Sequence, residues 1–144
     1  MQTSIVSVRV IYADVDRMNV VHHANYFRFF ESARTEFIRR RGVSYAEVEA
    51  TGVILPIVDV HVRFHSPARY DDLLDVKVSV TELKHASVTF AYEVRRAGET
   101  TILATGSTML ACCTSAGRPT RMPPAIRAML EQTERSERGE SAPG

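Results

Sequence analysis

Apolar and polar residues alternate along four separate stretches of the chain, which is the pattern of strands that bury one face, and along a fifth, residues 102–113, they alternate less cleanly, as expected of a strand covered on both faces. The first stretch, residues 5–12, places Val6, Val8, Val10 and Tyr12 on one face. The other four follow in series after a long interval, at residues 58–65, 74–81, 88–94 and 102–113. The pattern therefore predicts one isolated strand followed by a run of four.

A different periodicity fills the interval between the first strand and the others. From residue 24 to residue 41, apolar side chains recur at steps of three and four residues: Tyr26, Phe29, Phe30, Ala33 and Phe37. With Gly42 at the expected C-cap, this predicts an amphipathic helix roughly 27 Å long. Two shorter helices are predicted, one at residues 44–51 with Ser44 as N-cap and one from the Pro123-Pro124 pair to residue 130.

Only short segments join the last four strands: residues 67–72, 84–86 and 97–99. Segments of this length can join antiparallel neighbours, whereas parallel strands need long crossovers. The single long helix has to bury its aromatic stripe against the resulting sheet. The predicted fold is therefore a two-layer α+β domain of residues 1–131, followed by a polar tail, 132–144, that we expect to be disordered.

Composition narrows the classes of function. The chain has 144 residues, 24% of them charged, and a formal net charge of +1. This balance disfavours general nucleic-acid binding, because phosphate contacts need a concentrated cationic surface. The sequence has no apolar run of membrane-spanning length and no signal-peptide core at its start, so a cytoplasmic location is expected. The adjacent Cys112 and Cys113 are interpreted as buried strand thiols that form no disulfide.

The densest cluster of potentially reactive side chains is the segment YADVDRMNVVHHANY, which begins at Tyr12. If the first strand continues, Tyr12, Asp14 and Asp16 project to one side of it. His22 and His23 come just before the long helix, whose N-terminal N–H groups are unpaired and can stabilise an oxyanion. A carboxylate near such donors suits hydrolysis of an ester or thioester. Turn and capping chemistry explains an Asp-x-Asp motif equally well, so the spacing alone leaves both interpretations open.

Further motifs accompany this segment, and the set is Asp14-x-Asp16, Val20-Val21, His22-His23, Ala24-Asn25-Tyr26, Glu31-x-Ala33-Arg34, Ser66-Pro67-Ala68 and Tyr70-Asp71-Asp72. Together with the order of elements, the set resembles the 4-hydroxybenzoyl-CoA thioesterase branch of the hotdog superfamily, and most of all its bacterial short-chain acyl-CoA thioesterases. The resemblance covers most of the chain. It implies a hotdog fold, in which a five-stranded antiparallel sheet wraps around one long central helix. It also implies an acyl-CoA thioesterase that releases free acid and CoA without a cofactor.

Residue by residue, the resemblance implies that Asp16 is the catalytic carboxylate, either as general base toward water or as nucleophile. Asp14 is then a supporting acid. His23 falls where the family has a histidine whose backbone N–H polarises the thioester carbonyl, and Tyr12 matches a site tyrosine of the short-chain group. The family often has a glycine in the following loop; this chain instead has Arg17-Met18-Asn19, of which Asn19 tolerates the left-handed conformation.

The resemblance also implies substrate-binding residues and an assembly. Asn25 belongs to the motif at the helix start, and the acyl pocket is lined by a strand of a partner subunit: Pro56, Val58, Asp59, Val60 and His61. The polar turn of Lys84, His85 and Ser87 lies where related enzymes hold the phosphates of coenzyme A, although a solvated hairpin explains the same residues. A single helix cannot cover both faces and the edges of five strands, so we expect a homodimer or homotetramer with edge strands paired between subunits.

Other interpretations remain. The same fold can serve as a non-catalytic module that binds acyl-CoA or an acyl-carrier protein, although Asp16 beside His23 favours hydrolysis. A metal site at the histidines is disfavoured, because adjacent histidines are a poor ligand pair and no cysteine pattern supports zinc. We interpret His61 and His65 as surface or interface residues. The expected partners are therefore an acyl-CoA substrate and further copies of the chain, while the acyl group stays open among short, long and aromatic ones.

Overall fold

The structure, a computed structural model, describes residues 2–133. Its elements in chain order are β1 (Thr3–Arg9), α1 (Tyr26–Arg39), α2 (Tyr45–Ala50), β2 (Val53–Ile54), β3 (Ile57–Phe64), β4 (Leu73–Leu83), β5 (Ser87–Arg96), β6 (Ile102–Ala111), β7 (Cys113–Thr114) and α3 (Pro124–Glu131). Two 3₁₀ turns, Tyr12–Asp14 and His23–Asn25, lie between β1 and α1. The five predicted strands and three predicted helices are therefore present, with shifted ends.

The five long strands form one antiparallel sheet in the order β1-β4-β5-β6-β3, while β2 and β7 pair separately. One expectation about the connections is wrong. Because β3 pairs with β6, the segment between β3 and β4 does not join neighbours but crosses three strand spacings, about 14 Å. Arg96 holds this crossing segment: its Nε donates to Asp72 Oδ2 at 2.9 Å and its Nη2 to the Pro67 carbonyl at 2.8 Å.

The core lies between α1 and one face of the sheet. The helix buries the predicted stripe together with Ile38. The Phe30 ring stacks on Tyr92 of β5, with centroids 4.2 Å apart and an interplanar angle of 11°. Gly106 of β6 makes room for that ring, since a Cβ at this position would lie 2.7 Å from two Phe30 ring carbons and 2.8 Å from the His61 carbonyl oxygen. This close approach fixes the level of α1 along the sheet.

The edge strand β3 is exposed on both faces. Of its eight residues only Val62 is partly buried, and four large apolar side chains are 40–56% exposed: Ile57, Val58, Val60 and Phe64. The expectation that alternate residues of this strand are buried is therefore wrong for the single chain, because β3 is an edge strand and, in the described range, only its Phe64 end has an aromatic contact with α1, through Tyr26. Long, exposed, apolar edges are what proteins otherwise avoid.

Gln132, the first residue of the predicted tail, is hydrogen-bonded to Arg41, and the domain boundary at residue 131 stays a prediction. Gln132 Nε2 donates to the Arg41 carbonyl at 2.7 Å, and Arg41 Nε donates to the Gln132 carbonyl at 3.0 Å. The rest of the predicted tail, residues 134–144, lies outside the described residues. Cys112 and Cys113 are free and buried, as predicted. Within residues 2–133, no helix combines the length and apolar character needed to cross a membrane.

Candidate functional site

The segment after β1 turns instead of extending. The strand ends at Arg9, and the Asp14 N–H donates to the Ile11 carbonyl at 2.9 Å to close a 3₁₀ turn. Tyr12, Asp14 and Asp16 therefore do not share one side, and that expectation is wrong. Asp14 points into the protein and is 3% exposed, whereas Tyr12 is 79% exposed and Asp16 lies on the surface. The turn thus separates the two carboxylates into different environments.

Asp16 begins a tight turn that orients its own carboxylate. Its Oδ1 accepts hydrogen bonds from Met18 N at 2.9 Å and from Val20 N at 3.1 Å. Asn19 has a φ of 63°, so it adopts the left-handed conformation that the sequence allowed it. The other oxygen, Oδ2, makes no hydrogen bond with any residue of the described range. One carboxylate oxygen is therefore held by the backbone while the other remains available for chemistry.

Asp14 anchors the loop to the helix. Its Oδ2 accepts from Ile11 N at 2.8 Å and from Arg28 Nη2 at 2.5 Å. Its backbone carbonyl accepts from His22 N at 2.9 Å and from Asn25 Nδ2 at 2.8 Å. The Asn25 amide is therefore engaged in holding the loop, and its role in substrate binding stays a prediction. Asp14 thus joins the loop to α1 through its side chain and its carbonyl, and its role as a supporting acid stays a prediction.

The two histidines differ in what they offer a ligand. His22 Nδ1 accepts from Ala24 N at 3.3 Å and so caps the 3₁₀ turn that leads into α1. The His23 N–H is the first N–H of that turn, and no acceptor for it lies among residues 2–133. The His22 and His23 rings lie against each other, with centroids 4.2 Å apart. A free backbone donor thus stands at the start of the helical segment.

Asp16, His22 and His23 line one cavity of about 380 Å³. Its other walls come from the loop before α1, from α1 itself and from the end of β3: Val20, Val21, Tyr26, Phe64, His65, Ser66 and Pro67. Burial raises the pKa of Tyr26 and outweighs the opposing effect of its hydrogen bond with the Ala68 backbone, so this phenol stays neutral. The cavity is lined by a residue with a free carboxylate oxygen, a residue with a free N–H and several apolar side chains, which are the kinds of group that hydrolysis of an acyl ester or thioester uses.

Sequence reasoning missed Phe64 and His65 as cavity residues and Arg28 as the partner of Asp14. The first two come to the site only through the pairing of β3 with β6, which no local pattern reveals. The ion pair of Arg28 could have been predicted from the sequence. Arg28 lies in the first turn of α1, where a cation is disfavoured by the helix dipole and an anionic partner offsets this effect. The preceding aspartates were the obvious candidates for that partner.

The remaining predicted site residues lie away from this cavity. Tyr12 packs edge-on against Tyr70, with ring centroids 5.9 Å apart, and does not line the cavity. The predicted phosphate-binding residues Lys84, His85 and Ser87 lie at the opposite end of the sheet, about 33 Å away along β4. Lys84 Nζ lies 3.6 Å from Glu82 Oε2 in an exposed ion pair. The single chain therefore does not bring these residues to Asp16.

The predicted acyl-pocket residues also lie outside the cavity of their own chain. They line the exposed edge at and before β3: Pro56, Val58, Asp59, Val60 and His61. His61 Nε2 lies 3.3 Å from Asp59 Oδ2, and His65 Nε2 lies 3.4 Å from Thr105 Oγ1. No group of three or more histidine, cysteine or acidic side chains within the described range is arranged to hold a metal ion.

Comparison with other proteins defines the class. Residues 10–130 match the family model described as the Thioesterase-like superfamily. The acyl-CoA thioester hydrolase YbgC of Escherichia coli O6:H1 is 32% identical over 126 residues, which cover 87% of this chain and 93% of YbgC. The crystal structure of a DHNA-CoA thioesterase from Staphylococcus aureus superposes with a TM-score of 0.83 at 29% identity, covering 99% of this chain and 94% of that one.

The crystal structure of a 4-hydroxybenzoyl CoA thioesterase shares the fold at 19% identity. It superposes with a TM-score of 0.82, covering 91% of this chain and 100% of that one. The fold is thus the hotdog fold, and the predicted α+β architecture is confirmed. The chain belongs to the thioesterase-like superfamily, and the predicted resemblance is confirmed with it. The prediction of an enzyme that hydrolyses thioesters is also confirmed at this level.

Proposed function

We propose that this protein hydrolyses acyl-CoA thioesters, with Asp16 as the catalytic carboxylate and the His23 backbone N–H as the oxyanion donor. The observation that carries the proposal is the state of the Asp16 carboxylate. Two backbone N–H groups hold Oδ1, while Oδ2 is without a hydrogen bond to the described residues. The same cavity is lined by His23, whose N–H is also free of an acceptor there. The similarity to YbgC supports the substrate class.

In the general-base route, Asp16 Oδ2 takes a proton from a water molecule as its oxygen attacks the thioester carbonyl. The carbonyl oxygen becomes an oxyanion that accepts a hydrogen bond from His23 N–H. The C–S bond then breaks, the thiolate of coenzyme A takes the proton from Asp16, and the free acid remains. In the nucleophilic route, Asp16 itself attacks, coenzyme A leaves as thiolate, and water hydrolyses the mixed anhydride.

A single turnover in H₂¹⁸O tests the nucleophilic route. Water attack on the aspartyl carbonyl of the anhydride puts one ¹⁸O atom into Asp16, which the general-base route never does. Label in the peptide that contains Asp16, measured by mass spectrometry, therefore establishes the nucleophilic route. Label in the released acid alone is produced by the general-base route and also by water attack on the acyl carbonyl of the anhydride.

The separation of the predicted residues supports a site shared between two subunits. A two-fold axis through the middle of β3 pairs its edge antiparallel with that of a second copy, and it exchanges the two ends of the sheet. The Lys84 turn of the second copy then comes to the end of the sheet where Asp16 lies, together with the start of the second copy's β3. The exposed apolar residues of β3 favour the same pairing. We therefore propose a dimer or a tetramer built from such dimers, located in the cytoplasm.

The first experiment measures thiol release from a panel of short, long and aromatic acyl-CoAs. We expect Asp16→Asn to lower kcat by two or more orders of magnitude, as is typical for loss of a positioned general base or nucleophile. Asp71→Asn is the matched control, since Asp71 is an exposed aspartate at the same end of the sheet, and it should keep full turnover. Full activity in Asp16→Asn together with loss in Asp14→Asn would move the role to Asp14.

The second candidate function, a non-catalytic acyl-CoA or acyl-carrier-protein binding module, is tested in the same series. If wild type binds acyl-CoA in calorimetry but releases no thiol from any member of the panel, the hydrolase proposal fails and the binding module stands. The free Oδ2 of Asp16 favours hydrolysis, because a binding module has no use for an acid at that point.

A further inference from the structure

A second cavity, of about 410 Å³, lies on the α1 side of the sheet at the end opposite to the Asp16 cavity. Glu31, Arg34 and Ile57 line its rim and are exposed or half-buried. The residues of its interior are buried and all of them are apolar, among them Ile38, Val88, Phe90, Leu110, Met129 and Leu130. A volume of this size is typical of a small-molecule site, and the interior favours apolar groups, because a buried polar group without a hydrogen bond is costly.

The cavity extends across three neighbouring strands. Ile57 pairs with Leu110, and Leu110 pairs with Val88, so the three residues lie side by side on β3, β6 and β5. With about 4.8 Å between strands, the distance from Ile57 to Val88 is about 10 Å. Single C–C bonds of about 1.5 Å form a zigzag that advances about 1.25 Å per carbon, so this distance holds about eight carbons.

Within its own chain this cavity is remote from Asp16. Phe64 lines the Asp16 cavity, and Ile57 lies at the other end of β3, seven residues or about 23 Å away. The two-fold axis proposed above passes through the middle of β3 and so places the second copy's Ile57 beside Phe64. Because this axis is perpendicular to the sheet, both α1 helices stay on one side of it. The rim of the second copy's cavity then adjoins the Asp16 cavity.

We propose that this cavity binds the aliphatic chain of the acyl group, while Asp16 and His23 of the other subunit act on its thioester. One strand spacing of about 4.8 Å separates Ile57 from the other copy's Phe64 and holds about four more carbons. The site therefore selects unbranched acyl chains of about twelve carbons, whose methyl end lies between β5 and α3. The inference rests on the proposed function, because it names the acyl group of that same site.

A chain-length profile of thiol release tests the assignment, with butyryl-, octanoyl-, dodecanoyl- and hexadecanoyl-CoA as substrates. We expect kcat/KM to be at least 100-fold higher for dodecanoyl-CoA than for butyryl-CoA, since each buried methylene contributes about a fourfold gain. Val88→Phe fills the far end of the cavity and should lower the dodecanoyl-to-butyryl ratio of kcat/KM at least tenfold. Met129→Ala enlarges the cavity and should raise kcat/KM for hexadecanoyl-CoA, a gain that misfolding cannot produce.

The matched control is Leu83→Phe, because Leu83 lines a different cavity together with Leu130 of α3. This variant also enlarges an apolar side chain next to α3, and it should keep the wild-type chain-length profile. The same shift in Leu83→Phe and in Val88→Phe would show a general effect on packing and would overturn the assignment.

A mixed dimer tests which subunit supplies the cavity. Asp16→Asn and Val88→Phe chains are co-expressed with two different affinity tags, and the dimer that carries both tags is purified. In one of its two sites, Asp16 of the Val88→Phe chain adjoins the unaltered cavity of the Asp16→Asn chain. Dodecanoyl-CoA should therefore be hydrolysed at roughly half the wild-type rate. If each cavity served the Asp16 of its own chain, no site would be intact, and the mixed dimer would be no more active than Val88→Phe alone.

The inference is overturned if Val88→Phe keeps the wild-type profile, or if the mixed dimer shows no recovery on dodecanoyl-CoA. Calorimetric titration with dodecanoyl-CoA and butyryl-CoA separates this result from a failure of the proposed function. If wild type releases no thiol but binds dodecanoyl-CoA at least tenfold more tightly than butyryl-CoA, and Val88→Phe loses this difference, the proposed function fails and the acyl cavity stands.

Discussion

The ion pair between Arg28 and Asp14 is the interaction on which the geometry of the Asp16 loop depends most directly. The Asp14 side chain is 4% exposed and that of Arg28 is 42% exposed, with Nη2 and Oδ2 2.5 Å apart. Removing one partner of a fully buried pair costs about 3–5 kcal/mol. Water can replace part of the guanidinium here, so we expect Arg28→Ala to lower the free energy of unfolding by about 1–3 kcal/mol.

A double-mutant cycle isolates this contact from the other bonds of Asp14. Urea unfolding of wild type, Arg28→Ala, Asp14→Asn and the double variant gives the coupling energy, which we expect to be about 1–2 kcal/mol. Arg28→Lys should recover part of it, because a lysine supplies the charge without the planar fork of an arginine.

The same variants should affect catalysis, because the Asp14 carbonyl accepts hydrogen bonds from His22 N and Asn25 Nδ2. We expect Arg28→Ala to lower kcat about tenfold or more with a smaller change in KM, since small displacements of reacting groups are costly. Two results would refute the reasoning: a coupling energy below about 0.5 kcal/mol, which is the range of independent sites, or an unchanged kcat in a destabilised Arg28→Ala protein.

Three further changes have expected outcomes. Gly106→Ala should lower the free energy of unfolding by about 1–3 kcal/mol in urea, because its Cβ would lie 2.7 Å from Phe30 and 2.8 Å from a β3 carbonyl. If the variant were as stable as wild type, the helix and the sheet would have to move apart there at no cost, and the prediction would be wrong. Asn19→Gly should be tolerated whereas Asn19→Val should cost about 1–2 kcal/mol at a φ of 63°, and equal stability of the two would contradict this. Burial raises the pKa of Tyr26 above its usual 10.0, so its contribution to stability is complete below pH 10 and is lost as the pH rises through the folded-state value. Tyr26→Phe should therefore flatten the alkaline part of the stability curve, and an identical slope in both proteins would count against this assignment.

The elements were readable from the sequence because each leaves a local periodicity. The stripe from Tyr26 to Phe37 predicted α1, and Gly42, with a φ of 87°, stands at the helix end where a C-cap was expected. The sequence also predicted part of the Asp16 site, because the aspartates and the start of the helix lie within one short segment of the chain. The choice of Asp16 over Asp14 came from resemblance, and the burial of Asp14 is consistent with it.

The order of strands was not readable, because short connections are compatible with more than one pairing. The sequence favoured a hairpin between β3 and β4, whereas the structure pairs β3 with β6 and leaves it at the edge. The placement of Phe64 and His65 in the Asp16 cavity follows from this pairing. The distance between Asp16 and the Lys84 turn also follows from the tertiary structure, since only the family resemblance, and no local pattern, linked this turn to the site.

The sequence by itself determined the elements, the class of fold and the segment that carries the carboxylate, since periodicity and short motifs are properties of neighbouring residues. Only the tertiary structure decided which carboxylate is buried, which N–H groups stay free, and which strand is left as an exposed edge. These depend on contacts between residues far apart in the chain, such as Asp14 with Arg28 or Gly106 with Phe30. The physical reason is that burial and hydrogen bonding are set by the whole packed sheet and helix, whereas a sequence pattern records only which faces are able to pack.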